Sequence, residues 1–201
     1  MTKNDLKFIE YVKAQCALHG IKCDLRNTKS VKLSGNIRCS GWFDSDGKEL
    51  VVSMGREDGL HILVHEYGHL TQWLDSLDNK HELWDLSTDS LGKVDAWLGG
   101  KRVHHIARHL GVARDLELDN EKRSVKLIKK WNLSIDTKEY IKRANAYVQF
   151  YNWMYFTRRW CKSTNRPYDN VTVVEAMPTT FRMNYSEMSP KVYNAFLTAN
   201  I

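Results

Sequence analysis

Apolar residues recur at helical spacing over most of the chain and give way to shorter, strand-like pieces over one early stretch. Leu6, Ile9, Val12 and Cys16 fall three or four apart, and Gly20 follows where a helix C-cap would sit, so residues 3–19 read as a packing helix. Between Ile21 and Gly55 the pattern breaks into β-prone pieces: Val31-Lys-Leu, Cys39-Ser-Gly-Trp-Phe and Glu49-Leu-Val-Val-Ser-Met. Gly and Asn separate them, and Asp44-Ser-Asp-Gly47 reads as a hairpin loop, which predicts a small antiparallel sheet. From Asp58, a candidate N-cap, Leu60, Leu63, Val64, Tyr67, Leu70 and Leu74 share one wide face at about 100° per residue. That stripe predicts a core-facing helix.

Asp78 to Ser90 is polar, with Leu83, Trp84 and Leu86 as its anchors, and reads as a loop or short helix. Leu91 to Leu98 reads as a further short helix closed by Gly99-Gly100. Helical spacing resumes from Lys101 to about Leu133, with Gly111 a candidate break. Asp136 and Glu139 form a capping-box-like start to a helix reaching about Ser163, whose stripe of Tyr140, Ala144, Tyr147, Val148, Tyr151, Met154 and Tyr155 is heavily aromatic. Val171-Thr-Val-Val reads as a strand stopped by Met177-Pro178, followed by a tail packed by Phe181, Tyr185, Tyr193 and Phe196. The expected fold class is α+β: mostly helical, with a small antiparallel sheet ahead of the helix at 58–77, in one domain whose aromatic-rich helical part begins near residue 136.

A length of 201 residues, 42% hydrophobic, suffices for one domain with a sizeable core. No run of about 18 apolar residues occurs, and the first residues lack the apolar stretch of a secretory signal, so a soluble cytoplasmic protein without a membrane partner is expected. Cys16, Cys23, Cys39 and Cys161 form no CxxC pair, and free thiols are the expectation. The net charge of +6 is spread along the chain, which favours solvated faces. The basic, aromatic C-terminal half, with Arg158, Arg159, Lys162 and Arg166, keeps nucleic-acid binding as a rival reading.

The strong chemical signal is His65-Glu-Tyr-Gly-His69, an HExxH arrangement on the helical stretch. Residues four apart lie one above the other, so both imidazoles can reach one cation, with nitrogens roughly 2.0–2.1 Å from it. Glu66 projects beside them as a candidate general base for a metal-activated water. Ile62 and Trp73 lie on the histidine side, which suits a covered cleft better than a solvated face. Two histidines leave a zinc site one protein ligand short. Glu117 and Glu121, one turn apart with Ser124 and Ile128 continuing their face, offer a carboxylate; the competing account is a solvated acidic face among Lys122, Arg123, Lys126 and Lys129. His81, His104, His105 or His109 are alternative third donors, and Asp75 is another if the helix turns after Gln72.

His65-Glu-Tyr-Gly-His69 with a downstream Glu117-Leu-Asp-Asn-Glu121 resembles the gluzincin branch of the zincins. In its brevity the chain is similar to compact ImmA/IrrE-like metallopeptidases. From Cys39 to Trp73 and Leu116 to Ile128 it resembles uncharacterised metallopeptidases encoded by tailed bacteriophages. The resemblance implies a zincin-like fold, one zinc ion held by His65, His69 and Glu117, and Glu66 as general base. Where gluzincins often carry Asp or Asn to orient a ligand histidine, this chain has Glu121, which keeps Glu121 as the alternative third ligand or as a support. A Tyr or His for the oxyanion is also implied, with no single residue assigned. The expected activity is zinc-dependent hydrolysis of peptide bonds in a protein or peptide, inside the host cell if the chain is phage-encoded. The rival from another class is a catalytically silent scaffold that regulates a host factor by contact.

Overall fold

The computed structural model describes residues 1–32 and 38–201; Leu33, which ends the Val31-Lys-Leu piece, lies outside the described residues. In chain order the elements are α1 (Lys3–Leu18), β1 (Lys22–Arg26), β2 (Val31–Lys32), β3 (Arg38–Cys39), β4 (Gly41–Asp44), β5 (Glu49–Ser53), α2 (Gly59–Leu77), α3 (Glu82–Leu98), α4 (Ile106–Trp131), α5 (Thr137–Thr157), α6 (Val171–Ala176) and α7 (Pro190–Ala199). The fold class is α+β and mostly helical. The chain groups into two compact units: Met1–Lys80 with Arg123–Thr137, and His81–Lys122 with Lys138–Ile201.

In the first unit, Thr2 and Asp5 form the capping box of α1. At its end the Ile21 N–H reaches the Cys16 carbonyl at 2.8 Å, with Gly20 at φ +67°. That closure is a Schellman turn, whose left-handed position glycine fills without strain. Asp5 is buried and accepts hydrogen bonds from the Ser134 N–H at 2.9 Å and the Ser134 hydroxyl at 2.6 Å. Phe8 and Tyr11 meet Tyr67 and Trp131 at ring separations of 4.8–6.0 Å.

The three-stranded sheet has the order β1-β5-β4, and a separate two-stranded ribbon pairs β2 with β3. Its β4–β5 hairpin is antiparallel, with Asp44 opposite Glu49, and the Asp44 carboxylate accepts the Asp46 and Gly47 N–H groups inside the turn. β1 runs parallel to β5, from Lys22 opposite Glu49 to Arg26 opposite Ser53, so the sheet is mixed where an antiparallel one was expected. β5 is the central strand, and Leu50, Val51, Val52 and Ser53 are all buried, so both of its faces are covered, the setting in which parallel pairing occurs. The Cys39-to-Phe43 piece divides at Ser40 between β3 and β4.

α2 buries Leu60, Leu63, Val64, Tyr67 and Leu70, as its stripe predicts. Asp58 precedes the helix without capping it through its side chain; its carboxylate is held by Arg56 at 2.6 and 2.8 Å.

In the second unit α3 is one continuous helix where a loop or short helix, followed by a further short helix from Leu91 to Leu98, was expected. His81 caps it, Nδ1 accepting the Trp84 N–H at 3.1 Å, and Glu82 and Asp85 favour the positive end of its dipole. Its buried face carries Ser87 and Ser90 beside Val94, so apolar periodicity understates it. α4 passes through Gly111 without a break. α5 ends at Thr157, short of Ser163, and the next residue turns with φ +49°. There the Arg158 guanidinium donates to the Trp97 and Lys101 carbonyls, each at 2.8 Å, closing the end of α3.

Val171–Ala176 is helix α6, not a strand. The Asn170 side chain accepts the Val173 N–H at 3.2 Å, an N-cap that outweighs the β preference of the valines. The tail holds a further helix, α7, begun by Ser189 as cap and Pro190 in its first turn. The core of this unit gathers Val94, Leu110, Phe150, Trp153, Met154 and Phe196. Among the described residues no helix is long and apolar enough to cross a membrane.

Candidate metal centre

On α2 the rings of His65 and His69 stand 4.8 Å apart, centroid to centroid, and nearly perpendicular at 87°. His69 Nδ1 lies 2.9 Å from Oε1 of Gln72, which is fully buried. An amide oxygen can only accept, so Nδ1 carries the proton and Nε2 is the nitrogen suited to a metal. Glu66, between the histidines, is buried and lies under β4. The approach of β4 requires a glycine at Gly41: a Cβ there would stand 2.8 Å from the Val51 carbonyl oxygen, 2.9 Å from Ile62 Cγ2 and 3.2 Å from Glu66 Cγ. Trp73 stacks obliquely on Phe43 of β4 at 5.8 Å. Ile62 and Trp73 therefore meet β4 on the side that the sequence pattern assigned to a covered cleft.

The C-terminal part of α4 is tied to α2. Arg123 bonds Asp75 at 2.6 Å and Thr71 at 3.4 Å, and the Ser124 hydroxyl points to the Val64 carbonyl at 3.4 Å. Seven residues before Ser124, two turns back on the same face of this unbroken helix, is Glu117. One ligand atom from each of His65, His69 and Glu117 lies within 4.8 Å of the others, with Glu117 buried and the histidines half-buried. This group could hold a metal ion. Two imidazoles and a carboxylate, with the His69 tautomer set by Gln72, are donors that a divalent metal ion could use.

Glu121 is buried one turn further on and is outside the group; burial of both glutamates rules out a solvated acidic face. Glu117 Oε1 faces the hydroxyls of Tyr147 and Tyr151, each at a long 3.4 Å. Burial first, and the negative charge of Glu117 second, pushes both phenols well above their usual range, so both stay protonated donors.

Other candidates are engaged elsewhere. Asp75 is paired with Arg123. His81 caps α3 and bonds Asp119 at 2.9 Å, and His109 bonds Ser90 at 3.1 Å. His104 and His105 are exposed just ahead of α4. In the sequence Gln72 marks only the point after which a turn toward Asp75 would begin, although its place three residues after His69 puts it on a neighbouring helical position. Tyr147 and Tyr151, one turn apart, read as core, and nothing in the sequence ties them to Glu117.

No protein-family model, curated protein or solved structure matches this chain.

Proposed function

We propose that the chain is a zinc-dependent peptidase of the gluzincin type, with His65, His69 and Glu117 as zinc ligands and Glu66 as general base. The observation that carries this reading is the convergence of those three ligand atoms within 4.8 Å. Zinc is the metal that two imidazoles and one carboxylate suit, leaving a fourth position open. When bound, it supplies Lewis-acid polarisation of the scissile carbonyl and acidifies a water.

The chain's own residues do the rest. Glu66 takes the proton of the attacking water and passes it to the departing amine. Gln72 holds the His69 ring in its ligating tautomer, and the Tyr147 and Tyr151 hydroxyls moderate the charge of Glu117. β4 is the outer strand of its sheet and lies against Ile62 and Glu66, so an extended peptide could pair with its backbone beside the base. That placement favours a peptide over other hydrolysable substrates.

Purified protein assayed against quenched-fluorescence peptides, with zinc counted by mass spectrometry, tests the reading. Glu66→Gln should keep about one zinc per chain while hydrolysis falls roughly 10²–10⁴-fold. Unchanged turnover in that variant would overturn the assignment.

A further inference from the structure

Within the second unit the charges are unevenly placed. Residues 96–114 hold no Asp or Glu, nor do residues 153–168, while each stretch supplies four Lys or Arg. The fold brings the two stretches together. The Arg158 guanidinium donates to the Trp97 and Lys101 carbonyls, each at 2.8 Å, and lies over the Trp97 ring at 5.3 Å. The basic connection from α3 to α4 therefore runs beside the basic segment that follows α5. Lys101, Arg102, Arg108, Arg159 and Lys162 are exposed and, among the described residues, make no ion pair. Asp169, the first carboxylate beyond the second stretch, is met by Arg143 at 3.4 Å. Cations gathered without counter-charges attract a polyanion from outside.

Aromatic rings are interleaved with these cations. Residues 155–162 read Tyr-Phe-Thr-Arg-Arg-Trp-Cys-Lys, and Tyr155, Phe156 and Trp160 are 50%, 62% and 54% exposed. Trp160 is braced edge-on by Phe150 at 5.4 Å, and Phe156 by Tyr155 and Tyr193 at 5.8 Å each. A ring that is held yet exposed loses little freedom when a flat partner stacks on it. Cations for a phosphate backbone beside rings for its bases are the two components of a single-strand site. A reader of duplex DNA most often lays a helix in the groove, whereas four of these five cations lie outside the helices, Arg108 being the exception. Residues 158–170 contain no helix, so the segment lacks the amphipathic helix by which many proteins lie on an anionic membrane.

We propose that this face of the second unit binds single-stranded nucleic acid, with Lys101, Arg102, Arg108, Arg159 and Lys162 meeting phosphates and Trp160 stacking on a base. It is independent of the peptidase reading and uses no residue of the metal group. The whole chain is titrated by fluorescence anisotropy into a labelled oligothymidylate of about 12 nucleotides, and into a duplex of equal length, over a range of salt concentrations. The single strand should bind at least about fivefold more tightly than the duplex. Its affinity should fall with salt at a log–log slope of about −3.5, from five phosphate contacts at about −0.7 each. Arg102→Gln and Lys162→Gln should each flatten that slope by about 0.7. Trp160→Ala should weaken binding about 5–100-fold with the slope unchanged, and Trp160→Phe should restore most of the loss. Circular dichroism confirms that each variant is folded.

A slope shallower than about −1 overturns the proposal, as does a folded Trp160→Ala that binds like the wild type. A duplex bound as tightly as the single strand leaves no part for stacking and overturns it too. So does protein that ignores the oligonucleotide but sediments with phosphatidylserine vesicles, since a membrane would then be the partner. If Trp160→Ala fails to fold, the double variant Arg102→Gln with Lys162→Gln decides: a slope flattened by about 1.4 supports the proposal, and an unchanged slope overturns it.

Discussion

Replacing Gly41 by alanine tests whether the seat of β4 against α2 governs catalysis separately from metal binding. The added methyl would stand 2.8 Å from the Val51 carbonyl oxygen, a backbone atom that cannot swing aside, and 2.9 Å from Ile62 Cγ2. β4 is the outer strand, so the relief open to it is a small displacement away from α2. Overpacking of this kind costs about 1–3 kcal/mol. Taking about 2 kcal/mol, and ~2–4 °C per kcal/mol for a chain of this size, the melting temperature should fall by about 4–8 °C.

The same displacement moves the strand whose added methyl would lie 3.2 Å from Glu66 Cγ, so turnover should drop by up to about 10²-fold. Zinc content should hold, because the proposed ligands sit on α2 and α4. Gly92→Ala is the control: it lies inside α3 with nothing within 4 Å of the position its new methyl would take, and should stabilise by about 0.5–1 kcal/mol. Differential scanning calorimetry, zinc counting and peptide turnover read all three quantities. If Gly41→Ala leaves stability within about 0.5 kcal/mol and turnover unchanged, the close approach of β4 to Glu66 has no functional meaning.

Gln72→Leu removes the acceptor at His69 Nδ1 and should weaken zinc binding by about 10–100-fold in competition with a chelator dye. Glu117→Gln should lose zinc and Glu121→Gln should retain it, as measured by mass spectrometry under native conditions; the opposite pattern would exchange their roles. For Asp5, bonds from Ser134 and Thr2 outweigh burial and hold its carboxyl below the usual range. Its contribution to stability is therefore complete above the unfolded value of about 3.9 and is lost as pH falls through the lower folded value. Urea unfolding of wild type and Asp5→Asn should differ at neutral pH and converge below about pH 4; a constant gap would refute the linkage.

What could be read from the chain was its periodic and motif-bearing part. The stripe of α2 and the turn-spaced His65 and His69 needed only helical geometry, and Glu117 joins them because its helix carries the polar face on which Ser124 meets α2. The failures have local causes. The valines of α6 carry a strand preference that one Asn170 cap reverses. α3 buries serines, which no hydrophobic pattern flags. The parallel pairing of β1 depends on residues more than twenty positions away, beyond any short window. Tyr147 and Tyr151 took their place beside Glu117 from tertiary contacts, whereas Gln72 reaches His69 within one turn of α2.

The clasp between Asp5 and Ser134 has a bearing on how the molecule is made. Both residues belong to a unit assembled from Met1–Lys80 and Arg123–Thr137, so a nascent chain that has emerged only to residue 122 lacks the late segment that pins the start of α1. Residues 1–80 lack the Trp131 ring that Phe8 and Tyr11 meet until His81–Lys122 and then Arg123–Thr137 have been delivered. Completion of this unit is thus delayed until its late segment, up to Thr137, has emerged, and products truncated before that segment should be the ones that chaperones retain.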